Sequence, residues 1–455
     1  MTLLLPFILW AVAAVAQSND SVFDFPEFPP AGTPDPNSTL ANSAAPNPYN
    51  VYEDPGLAQA AIHFDTGSYG PTLELIHAYY TYWPVGVGVA STGQVFTTFP
   101  RGNETYTLAT FTSTTTEAPW PDQEWNTPPA FANASSPGYS VATDKFLLVQ
   151  SVVVDGLDRV WALDTGRPEV NGSYLLAAVP GGPKLVGFYL NGTNFATYTF
   201  PADVVYADSS INDVRFDLRG EGYAYITDSS PNRPGLVVLN LATGQSWRHL
   251  DGHPSVSPDT GFVPVYDGGM LSPRRRLATR IMFSSVPFYL YPVTSPYAIN
   301  NFGLYAADGI ALSSDGQYLY FAPLASRQFW RIPTSYLKVE PGPDYPYAYM
   351  RAKQAVEHLG ESGSNADGME TDSSGYIYAG APEHNAVTRY NPTTGIVEPF
   401  IRDPAIQWPD TLSVATLQNG SSYVYFTCNQ YVLSLAPLPA LDRPAHSLET
   451  RPHLC

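Results

Sequence analysis

The sequence predicts an all-β fold, a six-bladed β-propeller behind a disordered N-terminal leader. Three observations carry this. Short strands rich in β-branched and aromatic residues recur as hairpins with Gly-bearing turns. The turns fall near 93, 158, 222, 316, 375 and 420, so successive units are 65, 64, 94, 59 and 45 residues apart. Pro, 44 residues of it, is scattered so widely that neither heptads nor long helices can form.

The hairpins come in order along the chain. Residues 85–90 turn at 91–93 into 95–97, and 151–154 turn at 155–158 into 160–163. Residues 214–216 turn at 217–222 into 223–226, and 309–312 turn at 313–316 into 318–321. Residues 368–370 turn at 371–375 into 376–378, and 412–415 turn at 418–420 into 423–426. Further strands at 235–240 and 386–391 fill the gaps, giving about four strands to each unit. An eight-stranded barrel or a sandwich would not explain six hairpins each trailing an outer pair. The long interval around 251–301 implies an insertion between the third and fourth units.

Composition narrows function. The chain has 455 residues, 41 acidic against 22 basic, for a formal net charge of −19. A pI near 4.6 opposes binding to nucleic acid, whose phosphates need neutralising. Aromatic residues make up 13% and charged residues only 14%, which excludes a chain disordered throughout.

The first 16 residues read as a secretory signal: residues 3–15 are apolar, too short a run to span a bilayer, and Ala14-Val15-Ala16 suits cleavage before Gln17. Residues 17–50, rich in Pro, Ser, Asn and Ala, form the leader; 51–440 the propeller; 441–455 a C-terminal tail. Asn19, Asn37, Asn103, Asn133, Asn171, Asn191 and Asn419 each open an N-glycosylation sequon, predicting surface loops of a secreted or secretory-lumen protein without membrane partners. The two cysteines, Cys428 and Cys455, can form one disulfide in that compartment, closing a 27-residue loop. Such a link stabilises by roughly 3 kcal/mol.

Tyr320-Phe321-Ala322-Pro323-Leu324-Ala325-Ser326, followed by Trp330-Arg331-Ile332-Pro333-Thr334-Ser335-Tyr336-Leu337, resembles the Yellow / major royal jelly protein family. Asp308 to Ser313, Trp83-Pro84-Val85-Gly86 with Thr98-Phe99-Pro100-Arg101, and Val160 to Gly166 resemble it too. The resemblance implies a secreted six-bladed propeller with a ligand pocket at one end of its channel. Activities in the family are diverse: dopachrome conversion, amine binding, nutrition. The leader and the sequons are most similar to a fungal secondary-metabolism branch. That branch implies a hetero-Diels–Alderase joining a tropolone o-quinone methide to a humulene-type sesquiterpene, with no cofactor. A dopachrome-converting tautomerase and a non-catalytic binder of amines or phenols stay open as alternatives.

In a propeller, residues just before each innermost strand meet at the channel mouth. Here they are Trp83, Gln150, Asn212, Asp213, Asp308, Asp367 and Asp410, a polar set able to bind a small hydrophobic or aromatic substrate. Close carboxyls raise one another's pKa and supply acid and base near neutral pH, so Asp213 and Asp308 are catalytic candidates; turn capping is the structural alternative for each. His384 is a candidate proton donor unless it is an exposed loop histidine. Asn301, with Tyr291 and Phe302, belongs to the aromatic insertion, read either as a flap over the pocket or as core. Arg274-Arg275-Arg276 is a solvated loop or a processing site. Calcium, held in related propeller hydrolases by Glu, Asn and Asp, is a rival; Val85 and Gly86 stand where an early Glu is wanted.

Overall fold

The structure is a computed structural model. It describes residues 67–80, 82–100, 104–128, 139–170, 174–175, 177–259, 261–266, 269–273, 299–302, 305–429 and 453–454. The signal segment, the leader, residues 51–66 and nearly all of the tail lie outside the described residues.

Five antiparallel sheets of four strands follow one another along the chain. Blade one is Gly86–Val89, Val95–Thr98, Leu108–Phe111 and Glu117–Pro119. Blade two is Val149–Val154, Arg159–Thr165, Pro183–Tyr189 and Asn194–Thr199. Blade three is Ile211–Asp217, Tyr223–Asp228, Gly235–Asn240 and Ser246–His249. Blade four is Ala307–Leu312, Tyr318–Pro323, Gln328–Pro333 and Glu357–Glu361; blade five is Met369–Thr371, Ile377–Ala381, Ala386–Asn391 and Ile396–Arg402. Pro409–Thr416 and Ser422–Cys428 pair as a two-stranded closing hairpin.

The fold is thus a β-propeller with little helix, and the expectation of six like blades is corrected. Five sheets are full, and the last unit is a hairpin with no outer pair among the described residues. Its chain runs outside the described residues after Asn429, while a full blade needs two further strands. The first strand of each unit is innermost and touches those of its two neighbours, and the closing hairpin touches both blade five and blade one.

Each seam between blades is an apolar cluster, because strands enclosed between two sheets must be apolar on both faces. Phe96, Leu108 and Trp120 of blade one meet Val152, Val160 and Phe188 of blade two. Trp161 and Leu185 of blade two meet Val214, Ile226 and Val237 of blade three, with the Trp161 and Phe216 rings stacked at 4.8 Å. Tyr225, Leu236 and Trp247 meet Ile310, Leu319 and Phe321 across the next seam. Val87, Val89 and Val95 pack on Ala415 to complete the circuit. Each such side chain contributes about 1.5–3 kcal/mol by leaving water.

The 251–301 interval contains the single-turn helix Pro254–Val256 and, further on, the short strands Val265–Tyr266, Gly269–Pro273 and Ile299–Phe302. Two helices that the hairpin pattern does not predict, Thr334–Leu337 and Ala348–Gln354, sit between the third and fourth strands of blade four. No helix among the described residues is long and apolar enough to cross a membrane.

Candidate functional site

Four of the six innermost strands share a local irregularity. The ladder register slips between Val149 and Ser151, Ile211 and Val214, Ala307 and Ile310, and Pro409 and Leu412. Each slip is a β-bulge, which breaks alternation and re-aims side chains. Aligning the registers gives two positions per unit. The first is Val85, Gln150, Asn212, Asp308, Asp367 and Asp410 in turn. The second is Gly86, Ser151, Asp213, Gly309, Gly368 and Thr411. Gln150, Asn212, Asp308, Asp367 and Asp410 are therefore equivalent, while Asp213 stands at the second position. In blades two to four and the closing hairpin they lie within the bulged strand, not ahead of it as the sequence suggested.

The second position is a seam. Thr411 Oγ1 donates to Val85 O at 2.6 Å, and Gly368 N donates to Asp410 O at 2.6 Å. Backbones approach so closely that a Cβ on Gly368 would stand 2.3 Å from Asp410 O, and one on Gly309 2.4 Å from Asp367 O. Small residues are required there. Asp213 is the charged exception, and its carboxylate is correspondingly elaborated. Oδ1 accepts from Ser151 Oγ, Val214 N and Arg215 Nη1, all at 2.8 Å.

Arg215 links two blades that are not neighbours in the ring. It lies on blade three, yet its Nη2 donates to Met369 O on blade five, and its Nε stands 3.1 Å from Glu370 Oε2. Blade four intervenes between those two around the ring, so the guanidinium ties blade three to blade five directly. Burial opposes its charge, but Asp213 and Glu370 more than restore it and hold its pKa above the ordinary arginine value. Burial raises the Glu370 carboxyl, with Arg215 pulling it back.

The first-position acids lose water and feel one another. Burial pushes Asp308 well above the usual aspartate range, and the charges of Asp367 and Asp213 add to it, against hydrogen bonds from Ser229 and Asn212. Burial does the same to Asp410, with Asp367 and Asp308 adding; this side chain is partly exposed, but protein crowds its carboxyl closely enough that lost hydration dominates. Asp367 is pushed up to about 7 by burial, with the charge of Asp213 adding and a hydrogen bond from Trp408 Nε1, 2.6 Å from Oδ2, opposing. Asn212 Nδ2 donates to Ser229 Oγ at 3.0 Å, and that hydroxyl reaches Asp308 Oδ2 at 3.2 Å. Asn429 Nδ2 donates to Asp410 Oδ2. Among the described residues no group of three or more His, Cys, Asp or Glu is arranged to hold a metal ion.

The family model described as Major royal jelly protein matches residues 148–274 and 282–436, well over half of the chain. The chain belongs to the major royal jelly protein family. Its match runs from blade two into and past the closing hairpin and breaks only inside the insertion. The search of curated proteins found no match to this sequence. Among solved structures, the chain is similar to a gluconolactonase from Xanthomonas campestris at 11% identity, covering 77% of this chain and 84% of that one, with a TM-score of 0.41. A virginiamycin B lyase from Staphylococcus aureus gives 13% identity, 79% and 87% coverage and a TM-score of 0.38. A luciferin-regenerating enzyme gives 13%, 79%, 88% and 0.40. Likenesses this distant carry no argument about activity.

Within this member of the major royal jelly protein family, the sequence candidates divide. Asp213, Asp308, Asp367 and Asp410 come close enough for their charges to act on one another, Gln150 and Asn212 hold the equivalent place on the bulges of blades two and three, and Trp83 is half-buried just before the first strand of blade one. His384 does not join them: it is exposed in the short helix Pro382–His384, and its ring nitrogen lies 2.8 Å from Gly363 O. The loop places it at the connection between the second and third strands of blade five, one strand out from the axis. Asn301 and Phe302 lie on the strand Ile299–Phe302, which pairs in parallel with Gly269–Pro273; Tyr291 and Arg274 to Arg276 lie outside the described residues.

Asn191 and Asn419 are exposed in hairpin turns, each accepting from the backbone N–H two residues on. Asn19, Asn37, Asn103, Asn133 and Asn171 lie outside the described residues. Cys428 is buried, and Cys455 lies outside the described residues. Ser151, Arg215, Glu370 and Trp408 were not anticipated. Arg215 had one visible signal, a cation inside a strand whose neighbours are apolar on both sides.

Proposed function

We propose that this chain is a secreted propeller enzyme that accelerates an intermolecular hetero-Diels–Alder cycloaddition between a tropolone o-quinone methide and a humulene-type sesquiterpene. The observation that carries the reading is the set of acids, Asp308, Asp367 and Asp410, converging on the axis with raised pKa values. As neutral acids they donate hydrogen bonds without introducing charge. A donor on the quinone methide oxygen stabilises the negative charge that gathers there in the transition state. Holding the alkene against the heterodiene removes much of the entropic barrier, and no nucleophile is needed. The N-terminal apolar run and the sequons support export. The closing hairpin, in touch with both blade five and blade one, supports a closed ring around that axis.

The test is incubation of the purified protein with humulenol and a quinone methide precursor. The reading expects faster adduct formation and a single stereoisomer; a rate and isomer mixture equal to buffer refute it.

One observation favours a second reading. A carboxyl at about 7 beside other acids suits proton transfer, the step a dopachrome-converting tautomerase performs. Accelerated loss of dopachrome absorbance with no adduct formation distinguishes it. Calorimetric binding of a phenol or amine with neither turnover points instead to a binding protein.

A further inference from the structure

The 251–301 interval crosses blade four and docks on blade five through one carboxylate. Its single-turn helix Pro254–Val256 seats Val256 against Leu319, Phe321 and Ile332 of blade four. Asp259 N then donates to Ala325 O at 2.9 Å. Phe262, 4% exposed, lies 4.8 Å from the Arg327 guanidinium, which stacks over its ring. Val265 N reaches blade five and donates to Glu383 Oε1 at 2.8 Å.

Glu383 is a junction. Its side chain is 4% exposed, and a carboxylate so buried needs a partner for its charge. Arg327, between the second and third strands of blade four, is that partner: Nε donates to Oε2 at 2.7 Å, and Nη2 donates to Oε1. Asn365 N is a further donor, 3.3 Å from Oε2. Asn365 stands two residues before Asp367, in the loop entering the innermost strand Met369–Thr371. It is wholly buried, and its side-chain Nδ2 has no hydrogen-bond partner, so the main chain anchors the loop there. Ser362 N donates to Arg327 O at 2.9 Å, and Glu383 N donates to Ser364 Oγ at 3.3 Å. Both members of the ion pair thus grip the loop that carries Asp367.

We propose that Glu383 is a positioning residue that couples the seating of the inserted segment to the placement of Asp367. Two carboxylate oxygens serve the guanidinium, Val265 N and Asn365 N together, so a shift toward one donor weakens the hold on another. Displacing the segment loosens the Asp367 loop, and by linkage the reverse holds equally. The effect on chemistry rests on the reading of Asp367 as a hydrogen-bond donor in the reaction; the coupling does not.

Amide hydrogen exchange of the full chain tests the coupling without substrate. It is read on peptides covering 262–266 and 362–367, with 235–240 in blade three as reference. Phe262→Ala removes the ring under Arg327 and leaves the carboxylate and its loop donors in place. It should speed exchange in both test peptides by about tenfold or more relative to the reference, the size expected when a charge-assisted hydrogen bond is lost. Glu383→Gln should do the same, and Arg327→Lys, which keeps a cation on the carboxylate, should lose less protection. Acceleration confined to 262–266 in Phe262→Ala overturns the proposal, as does equal acceleration in all three peptides. Should Glu383→Gln fail to fold, Phe262→Ala decides alone. In the cycloaddition, Phe262→Ala should lower kcat by about tenfold or more. A raised KM at unchanged kcat would show the segment acting on binding alone and overturns the coupling. Coupled exchange with no cycloaddition leaves the role of Glu383 standing and removes the reaction.

Discussion

Replacing Asp367 by Asn should make the protein more stable at alkaline pH. The carboxyl is 7% exposed, and its ionisation midpoint rises from 3.8 to about 7 on folding. The folded state therefore binds the proton more tightly than the unfolded chain. The resulting stability is fully present below about pH 4 and is lost as pH rises through about 7. Some three pH units at about 1.4 kcal/mol each set a ceiling of about 4 kcal/mol on that loss. The realised figure is smaller, because Asp308 and Asp410 respond to the same proton. Asn keeps the shape and an oxygen for Trp408 Nε1, now 2.6 Å from Oδ2, while removing the group that must ionise. We expect wild type and Asp367→Asn to unfold at the same urea concentration at pH 4. At pH 8 the variant should be ahead by about 1–4 kcal/mol. Urea midpoints at pH 4, 6 and 8 measure this. Parallel decline of the two proteins between pH 4 and pH 8 would refute the argument that this buried acid carries the pH dependence.

Other substitutions probe different parts of the molecule. His249 is buried with its pKa lowered by burial, so folding favours the neutral ring; stability is present above pH 6.5 and falls as the unfolded chain takes up a proton below it. His249→Gln should flatten the loss of melting temperature between pH 7 and pH 5, a slope opposite in sign to that of Asp367. Lys184 and Asp164 form a fully buried ion pair at 3.1 Å, and Lys184→Met strands the carboxylate at a cost of about 3–5 kcal/mol by denaturant unfolding. Asn191→Gln and Asn419→Gln should each remove one glycan from protein made in a secretory host, read by intact mass before and after endoglycosidase.

The hairpins were legible because turn chemistry marks them. Gly93, Gly316 and Gly375 adopt positive φ where the sequence placed the turns. The equivalence of Gln150, Asn212, Asp308, Asp367 and Asp410 was legible as well, since a polar residue beside an apolar inner strand stands out. The bulges that carry Gln150, Asn212, Asp308 and Asp410 were not, because one extra residue in a strand leaves no compositional trace. Arg215 binding Met369 O, 154 positions away, follows from ring closure and not from any local pattern. The two-stranded last unit escaped because its hairpin, Pro409–Thr416 with Ser422–Cys428, has the same residue pattern as the full blades. For His384 the sequence left two readings open, proton donor or exposed loop histidine, and its exposure in the short helix Pro382–His384 fits the second.

The most direct measurement is the rate and stereochemistry of adduct formation by wild type, Asp308→Asn, Asp410→Asn and, as a control remote from the axis, Asn419→Gln. The account predicts acceleration by wild type and the control, and a loss of tenfold or more in each axial variant, the size expected when a positioned proton donor is removed. Axial variants as fast and as selective as wild type would contradict it.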